Sequence, residues 1–376
     1  MDHYDVVIVG AGISGLYLSR LLERKGISYV TLEKRTALGT YGNRIISTET
    51  FDKLEITDKE TIMPIKEMNF YSPNESKLTV KSNYVRGYVT NLSTLEFAVY
   101  NSIKNKSNIK LGYNVIDFDL DKKIVKTPKG DFNYKIIIFA TGLIGLKFRN
   151  KLNTSSPKEI FCFAIELSAE DKITTIIDND LAKGFYGWII PLGKGKMEVG
   201  IGADDITIRN REEIEKRLFS LAYVSKFKNR RKQRFIAGFI PTSMIDKKCG
   251  NDWVIIGDAS GGEPMLGGSI HKCIDEARIV ADLIEKYRKY ELSTFKYYDV
   301  LWEEAFGSDL KSQERVRFLL DSSQNSDFNL VFKQLQNIPI EGKGLINDVF
   351  RNIIMHLEQN RANGNGNNPA ARNNLK

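Results

Sequence analysis

The 376-residue sequence predicts an α/β fold, α+β overall, in which a parallel-sheet domain is interrupted by an inserted antiparallel sheet and followed by helices. Three observations predict it. Short apolar strands lead into glycine-rich turns and helices near residues 6–26 and 253–287. Between them, residues 160–201 contain four further strand-like segments. From residue 291 to about residue 360 the pattern is helical.

The first 35 residues read as a strand, a helix and a second strand. The apolar run Val6–Val9 leads into Gly10-x-Gly12-x-x-Gly15, which opens a helix, and Glu33 ends the second strand. In this context Gly10 permits a tight turn, Gly12 lets backbone approach a pyrophosphate, and Gly15 lets the helix pack closely. A glycine-rich turn without a ligand is the alternative. We therefore predict a Rossmann-like dinucleotide site formed by Gly10, Gly12, Ser14, Gly15, Glu33 and Lys34.

Two later strand ends favour FAD over NAD as the dinucleotide. One apolar strand ends in Ala140-Thr141-Gly142, a sequence that is frequent in flavoproteins. Another ends in Gly257-Asp258, where an aspartate can bind the ribityl chain. The glycine-rich loop beyond it can bring backbone against the isoalloxazine, and the next helix N-terminus would stabilise reduced flavin. The predicted FAD contacts here are Ala140, Gly142, Gly257, Asp258, Gly267, Gly268, Ser269 and Ile270.

The central segment reads Tyr186-x-Trp188-x-Ile190-Pro191, then eight residues, then Gly200-x-Gly202. Alternate residues of a strand share a side, so the first three side chains would present one apolar face. That face could bind a long hydrocarbon, or it could pack the core of its own domain. The pattern resembles the Tyr-x-Trp-x-Phe-Pro and Gly-x-Gly of the geranylgeranyl reductases, including the archaeal digeranylgeranylglycerophospholipid reductases, within the p-hydroxybenzoate hydroxylase superfamily of flavoproteins.

The resemblance covers most of the chain and carries expectations about function. It implies an FAD-dependent oxidoreductase that saturates C=C bonds of geranylgeranyl or other polyprenyl chains in archaeal ether-lipid biosynthesis. Reduced flavin would give a hydride, and a nearby acid or water a proton. By resemblance, Arg86 would contact the cofactor, and the substrate would be bound by Tyr186, Trp188, Ile190, Pro191, Gly200 and Gly202.

One departure from the family pattern concerns catalysis. Tyr41 stands where many members carry a cysteine, so a cysteine-dependent step cannot be carried over. His271, in the first turn after the glycine-rich loop, could donate a proton, since its unperturbed pKa suits that task. It could equally be an ordinary polar residue of a helix start. Tyr41 and His271 are the two catalytic candidates.

Other functions remain open at this stage. A flavin monooxygenase or halogenase of the same superfamily would consume oxygen, and an isoprenoid cyclase would leave the product mass unchanged. A non-catalytic lipid-binding protein would lack bound flavin.

The predicted domains are discontinuous. Residues 1–150 and 251–290 would form the FAD-binding domain, and residues 151–250 the antiparallel substrate domain. Residues 291–360 would form a helical region, and the asparagine-rich residues 361–376 a disordered tail.

The chain carries 55 Lys and Arg against 47 Asp and Glu, a net charge of +8. Residues 226–234 contain six cations and no acid. This run is a solvated surface, or a docking patch for lipid headgroups or an acidic protein. Nucleic acid is disfavoured because no nucleic-acid module accompanies the run. Without a second nucleotide unit for a donor, electrons would come from ferredoxin or from NAD(P)H binding transiently.

Three scattered cysteines form neither a disulfide framework nor a metal site, so we expect no metal and a reducing compartment. The longest apolar stretch, residues 136–146, is about half the length that spans a bilayer. No signal peptide is recognisable. We expect a cytoplasmic protein, with peripheral association at the inner face of the membrane as a further expectation.

Overall fold

The computed structural model describes residues 2–56, 62–206, 210–286, 295–336 and 347–362. The strands are β1 Asp2–Val9, β2 Tyr29–Glu33, β3 Asn43–Ser47, β4 Met63–Ile65, β5 Glu67–Tyr71, β6 Lys77–Lys81, β7 Gly87–Asn91, β8 Ile109–Leu111, β9 Asp117–Asp119, β10 Ile124–Thr127, β11 Gly130–Phe139, β12 Glu159–Leu167, β13 Ile173–Ile176, β14 Gly187–Gly193, β15 Lys196–Ala203, β16 Lys232–Pro241 and β17 Trp253–Ile255. The helices are α1 Ile13–Arg24, α2 Thr48–Leu54, α3 Leu92–Ser102, α4 Leu146–Leu152, α5 Arg211–Leu218, α6 Ile270–Lys286, α7 Lys296–Trp302, α8 Ser308–Asp321, α9 Asn325–Leu335 and α10 Asn347–Ala362.

Internal contacts divide the chain into two units, and the first comprises Met1–Ile62, Thr90–Glu159 and Ile240–Lys311. Its central strands β1 and β11 are parallel and end in fully apolar, buried residues. Strands β2 and β8 extend the sheet in parallel on one side, and β17 pairs in parallel with the second half of β11. Because parallel strands share one carboxyl edge, the turns after β1, β2, β11 and β17 meet there.

The second unit comprises Met63–Val89, Ile160–Phe239 and Ser312–Lys376. Its sheet runs in the order β16-β12-β15-β14-β13-β5-β6. The sheet is antiparallel at the β12–β15, β15–β14, β14–β13 and β5–β6 pairs, and parallel between β13 and β5. One face of it carries the hydrophobic core of the unit, in which Ile165, Ile189 and Val199 pack with Ile214 and Leu218 of α5.

The unit boundaries differ from the predicted domains in four places. Residues 151–159 and 240–250, predicted for the substrate domain, belong to the first unit. Residues 63–89 belong to the second unit because β5 pairs with β13, a contact across more than 100 residues that local pattern does not reveal. The C-terminal region is divided between the units at Lys311. Of the tail predicted to be disordered, Arg361 and Ala362 complete α10, and residues 363–376 lie outside the described residues.

Among the described helices, none combines the length and the apolar character that crossing a membrane requires.

Candidate functional site

The turn between β1 and α1 has the form that a bound pyrophosphate requires. Gly10 has a φ of +106°, and a Cβ there would clash with the carbonyl oxygen of Ala140. A Cβ on Gly15 would clash with the carbonyl of Gly10. At Gly12, by contrast, an added Cβ would meet nothing within 4 Å, and no side chain caps the helix that begins there. Gly10 and Gly15 therefore allow close backbone packing, and Gly12 leaves the backbone of the turn accessible to a ligand.

Glu33 ends β2 with a buried carboxylate whose hydrogen bonds are provided locally. Its Oε2 accepts the Ala11 N–H at 2.7 Å, and its Oε1 accepts the backbone and Nε groups of Arg35 at 2.9 Å each. Burial raises the pKa of Glu33, but the hydrogen bonds from Arg35 and Ala11 outweigh burial and hold it below its ordinary value. The residue is therefore a fixed anion beside the open turn. The predicted contact Lys34 has an exposed side chain.

Arg35 was not among the predicted site residues, although it connects two parts of this site. Besides Glu33, its guanidinium contacts the carbonyl of Ala11 at 2.9 Å and the buried Glu96 of α3 at 3.2 Å. Glu96 Oε2 also accepts the backbone N–H groups of Gly39 and Thr40 at 2.9 Å. This carboxylate thus anchors the loop that carries the catalytic candidate Tyr41, whose ring is 39% exposed.

The Gly257–Asp258 turn is held by a buried acid on α6. Glu276 is fully buried, and its Oε2 accepts the Gly257 N–H at 2.6 Å. Its Oε1 accepts the Ser260 hydroxyl at 2.7 Å, the Lys272 ammonium at 3.0 Å and the Trp302 indole N–H at 2.9 Å. The sequence indicated neither member of this buried ion pair, since a Lys and a Glu four residues apart on a helix usually form an exposed pair.

The glycine-rich loop after this turn closes on itself and on Asp258. Backbone hydrogen bonds of 2.8 Å join Glu263 and Gly267 in both directions. A Cβ on Gly268 would lie 3.0 Å from the Asp258 carboxylate, so the loop backbone passes directly beside that side chain. Burial raises the pKa of Asp258, against the opposing effect of Lys272 and Arg44. The loop ends at Ser269, and Ile270 begins α6.

The first unit brings these predicted positions together at one edge of its sheet. The Ala140 N–H donates to Val9 and the Gly10 N–H to Leu32, which places the three strand ends side by side. Gly142 has a φ of +61°, and no atom lies within 4 Å of where its Cβ would be. A Cβ on Gly257 would clash with Ser14, so the two turns touch. An open glycine turn, a fixed acid and a second glycine loop fit the phosphates, ribose and ring of FAD.

The predicted apolar strand lies in the second unit as β14. Tyr186, Trp188 and Ile190 are half-buried, whereas Ile189 between them is fully buried in the core. Trp188 and Ile190 therefore lie on the face of β14 opposite to Ile189 and the core cluster that it joins, and Tyr186 immediately precedes the strand. Tyr186 stacks on Phe185 with ring centroids 4.1 Å apart, and its ring lies 6.0 Å from that of Phe350 of α10.

The two glycines of the Gly-x-Gly pair lie on β15, beside β14. Trp188 is directly opposite Gly200, and a Cβ there would clash with the indole ring. The Gly202 N–H donates to the carbonyl of Tyr186, and a Cβ on Gly202 would crowd Phe185 and Cys162. The eight residues between Pro191 and Gly200 therefore give the hairpin the length that places each glycine opposite an aromatic residue. Pro191 is opposite Met197, next to a bulge in this hairpin.

Two acids share the outward face with Trp188. Glu198 and Glu166 are directly opposite each other on β15 and β12, and they are 5% and 6% exposed. The Trp188 indole N–H donates to Glu198 Oε1 at 2.8 Å. Burial raises the pKa of Glu166, against the influence of Arg234 and Lys196. Sequence reasoning missed both acids, because a single Glu in a strand does not reveal what covers it.

Arg86, a predicted cofactor contact, lies in the second unit with its guanidinium 5.1 Å from the ring centroid of Tyr84. Its contact with FAD stays a prediction. His271 lies at the start of α6, where its Nε2 is 2.8 Å from Glu263 Oε1. Its role in catalysis likewise stays a prediction.

Two comparisons of the sequence with known proteins find matches. The model of the FAD binding domain family matches residues 3–56. A digeranylgeranylglycerophospholipid reductase of Methanocaldococcus jannaschii is 26% identical over 366 residues, which covers 89% of this chain and 91% of that protein. These matches confirm the FAD cofactor and the resemblance that the sequence predicted.

Solved structures share the fold. A geranylgeranyl bacteriochlorophyll reductase-like protein from Thermoplasma acidophilum superimposes with a TM-score of 0.82 at 18% identity and covers 96% of each chain. The flavin-dependent brominase Bmp2 superimposes with a TM-score of 0.70 at 18% identity, over 95% of this chain and 99% of its own. Both confirm the predicted α/β architecture.

Proposed function

We propose that this FAD-dependent oxidoreductase, a relative of the digeranylgeranylglycerophospholipid reductases, saturates C=C bonds of geranylgeranyl or other polyprenyl chains in isoprenoid membrane-lipid biosynthesis. The observation that carries the proposal is the outward face of β14. Trp188 and Ile190 are half-buried and apolar, and Gly200 leaves the space in which the indole lies flat. The apolar part of this face suits a long hydrocarbon, and the two acids beside it, Glu166 and Glu198, are themselves buried.

Different residues of the first unit would hold different parts of FAD. The Gly10–Gly15 turn would receive the pyrophosphate, the Glu33 carboxylate the ribose hydroxyls, and Asp258 the ribityl chain. The backbone from Gly267 to Ile270 would border the ring system. When bound and reduced, FAD supplies a hydride, which is the two-electron chemistry that no amino-acid side chain provides.

The second unit would supply substrate binding. Removing a polyprenyl chain from water against Tyr186, Trp188 and Ile190 is favourable in proportion to the apolar area buried. An isolated alkene accepts a hydride poorly, so a proton must reach the neighbouring carbon in the same reaction. The protein must therefore place an acid or an ordered water molecule near the reduced bond.

Electron donor and membrane contact are part of the proposal. Reduced ferredoxin or NAD(P)H would reduce the flavin. The cationic run of residues 226–234 has exposed side chains at Lys228, Arg230 and Arg231, whereas Lys226 pairs with Asp171 at 3.1 Å. This surface would bring the enzyme to anionic lipid headgroups, from which the substrate must be drawn.

A flavin-dependent halogenase or monooxygenase is the second candidate. The fold shared with a brominase accommodates this activity, because fold alone does not separate the two. Oxygen consumption distinguishes the two. A reductase of C=C bonds works under strictly anaerobic conditions, and an oxygen-dependent enzyme does not.

The test begins with the visible spectrum of the purified protein. It continues with anaerobic reduction by dithionite and mass analysis of an added geranylgeranyl glycerolipid. We expect bound flavin and products heavier by two hydrogen atoms for each bond reduced. Trp188→Ala should lose this activity and keep its flavin, while Phe239→Ala, which removes an exposed ring from β16, should keep both. Flavin with no gain in mass under any donor would contradict the proposal.

A further inference from the structure

The indole N–H of Trp188 is bound by an acid of the neighbouring strand. Trp188 on β14 is directly opposite Gly200 of β15, and Glu198 lies two residues before that glycine on the same strand. The Oε1 atom of Glu198 accepts the indole N–H at 2.8 Å. Diagonal neighbours on adjacent strands are within reach of long and aromatic side chains, so this bond connects two residues of one sheet face.

The ring of Trp188 has a floor and a wall within the second unit. A Cβ on Gly200 would clash with Cε2, Cζ2 and Nε1 of the indole, so this edge of the ring lies against the backbone of β15. The ring of Tyr186 bounds the indole edge-on, with ring centroids 6.4 Å apart and an angle of 73° between the planes. Tyr186 is itself stacked on Phe185.

Packing alone leaves the orientation of the indole open. The torsion between Cβ and the ring of a tryptophan is broad and roughly two-fold, so a ring that lies over a glycine can turn over. The hydrogen bond selects the orientation that brings Nε1 to Glu198. Because Glu198 is only 5% exposed, its carboxyl group is held in place and provides a fixed acceptor.

The acid opposite Glu198 does not disturb this contact. Glu166 of β12 is directly opposite Glu198 and is 6% exposed. Burial raises the pKa of Glu166, against the opposing charges of Arg234 and Lys196, so Glu166 keeps its proton to a higher pH than an exposed glutamate. A neutral Glu166 exerts no like-charge repulsion that would push the Glu198 carboxyl group away from the indole.

We propose that Glu198 is a positioning residue that fixes the Trp188 indole in one orientation and keeps its N–H away from the hydrocarbon chain of the substrate. The inference rests on the proposed function. A polyprenyl chain offers no hydrogen-bond acceptor, and an indole N–H buried beneath it without a partner would weaken binding. With the N–H held by Glu198, the carbon surface of the ring is left for the chain. An acid on this face thereby serves apolar binding.

Two variants of Glu198 separate its hydrogen bond from its charge. Glu198→Leu removes the acceptor, whereas Glu198→Gln keeps an acceptor oxygen and removes only the charge. For Glu198→Leu we expect KM for a geranylgeranyl glycerolipid to rise about 10-fold with kcat unchanged, as the loss of one hydrogen bond in substrate binding does. Glu198→Gln should keep KM near the wild-type value. An acid that transfers a proton would be lost in both variants alike.

The indole N–H can be observed directly by NMR in the FAD-loaded protein. The chain has three tryptophans, so three indole resonances are expected, and Trp188→Phe identifies the resonance of Trp188. In Glu198→Leu this resonance should shift and its hydrogen should exchange faster with water, whereas Glu198→Gln should retain both properties. The resonance of Trp302, which donates to Glu276, should stay unchanged and so report an intact fold.

The matched control is Glu159→Leu, which makes the same replacement at an exposed acid at the start of β12. It should leave KM and the three indole resonances as in the wild type.

Each outcome decides the assignment. An unchanged Trp188 resonance in Glu198→Leu overturns the positioning of the indole, and a changed resonance with an unchanged KM overturns its role in substrate binding. Equal impairment of the Leu and Gln variants overturns the hydrogen bond as the cause. If the wild-type protein reduces no prenyl lipid while the Leu variant alone alters the Trp188 resonance, the proposed function fails and Glu198 still positions Trp188.

Discussion

The contact between Trp188 and Gly200 shows how one hydrogen atom in place of a side chain shapes a surface. The indole lies across β15 because the residue opposite has no Cβ, and its N–H reaches Glu198 at 2.8 Å. Any larger residue would push the ring off the sheet. A face that would bind a hydrocarbon therefore depends on a residue that need not touch the hydrocarbon.

Gly200→Ala should consequently destabilise the second unit by about 1–3 kcal/mol, as overpacking of a filled site does. The displaced ring should also change the intrinsic tryptophan fluorescence. Urea unfolding followed by fluorescence measures both effects. The control is Gly238→Ala on β16, where an added Cβ meets nothing within 4 Å. Equal stability of the two variants would refute the packing account.

A second prediction at the residue scale concerns Glu166. Its Oε1 is buried and has no hydrogen-bond partner among the described residues. Burial raises the pKa of Glu166 above the value of about 4.3 that it has in an unfolded chain. The folded protein then binds this proton more tightly than the unfolded one, so the free energy of unfolding falls as pH rises above the unfolded value.

Glu166→Gln should remove this loss of stability. Denaturant unfolding at pH 5 and pH 8 should show a smaller decrease for the variant than for the wild type. Glu159→Gln, an exposed acid on the same strand, should behave like the wild type. A decrease as large in Glu166→Gln as in the wild type would mean that this carboxyl is ionised throughout.

At the scale of single residues, the glycine spacing and the residues at the strand ends predicted which positions meet in the first unit. Gly10, Glu33, Gly257 and Asp258 meet at one edge because parallel strands must end together. Arg35 could have been anticipated, since it is two residues beyond Glu33 and so emerges on the same side. Glu96 and Glu276 could not, because they reach the site from helices whose packing no local pattern specifies.

Helix α6 is the element that joins the Gly257 turn to its surroundings. Lys272 and Glu276 face the turn from consecutive helical turns, at 1% and 0% exposure. A buried ion pair adds little net stability, but removing one partner leaves an uncompensated charge in a low-dielectric site. The pair therefore fixes the shape of the turn and makes the helix intolerant of change on that face.

Glu276→Gln should cost roughly 3–5 kcal/mol, since it removes the carboxylate that pairs with the buried Lys272 ammonium at 3.0 Å. Calorimetric unfolding measures the loss. Glu285→Gln on the same helix removes one of the two acids that pair with the partly exposed Lys25, which keeps Asp282 at 2.9 Å, and it should cost under about 1 kcal/mol. Similar costs for the two variants would show that Lys272 is solvated or neutral in the folded protein.

Elements with a strong local pattern were predicted to within a few residues. The helix predicted after the glycine-rich turn, near residues 253–287, is α6, Ile270–Lys286, and the first strand of the 160–201 segment is β12, Glu159–Leu167. Residues 39–84 gave no prediction, because their strands are short and β5 pairs with the distant β13 as well as with its neighbour β6. The pairing of β5 with β13 determines to which unit these strands belong. A pairing between segments so far apart in the sequence cannot be recognised from the local residue pattern.

At the scale of the whole molecule, the predicted FAD contacts except Arg86 lie in the first unit. A ligand stabilises the structure that binds it, by about 2.7 kcal/mol at a free concentration 100-fold above Kd. Hydrogen exchange with and without FAD should therefore show the larger gain of protection in β1, β11 and β17. Larger protection in β14 and β15 would place the cofactor elsewhere.

The cationic run offers a prediction about the surface of the second unit. Arg230→Gln with Arg231→Gln should weaken binding to vesicles of anionic lipid and should leave dithionite-driven reduction unchanged. Lys232 is kept because it already pairs with Glu215. Lys77→Gln with Lys81→Gln removes two charges from β6, the opposite edge of the same sheet, and is the control. Vesicle binding and reduction by each donor that match the wild type would exclude the run from both roles.

The order of strands in the first unit also bears on how the protein is made. Strand β1 pairs with one edge of β11. The other edge, at Ile137–Phe139, pairs with β17, which is synthesised more than 110 residues later. During synthesis the parallel sheet therefore stays unfinished until Trp253–Ile255 has left the ribosome. While these intervening residues are translated, the nascent chain exposes an apolar strand edge, and we expect it to need a chaperone to avoid aggregation.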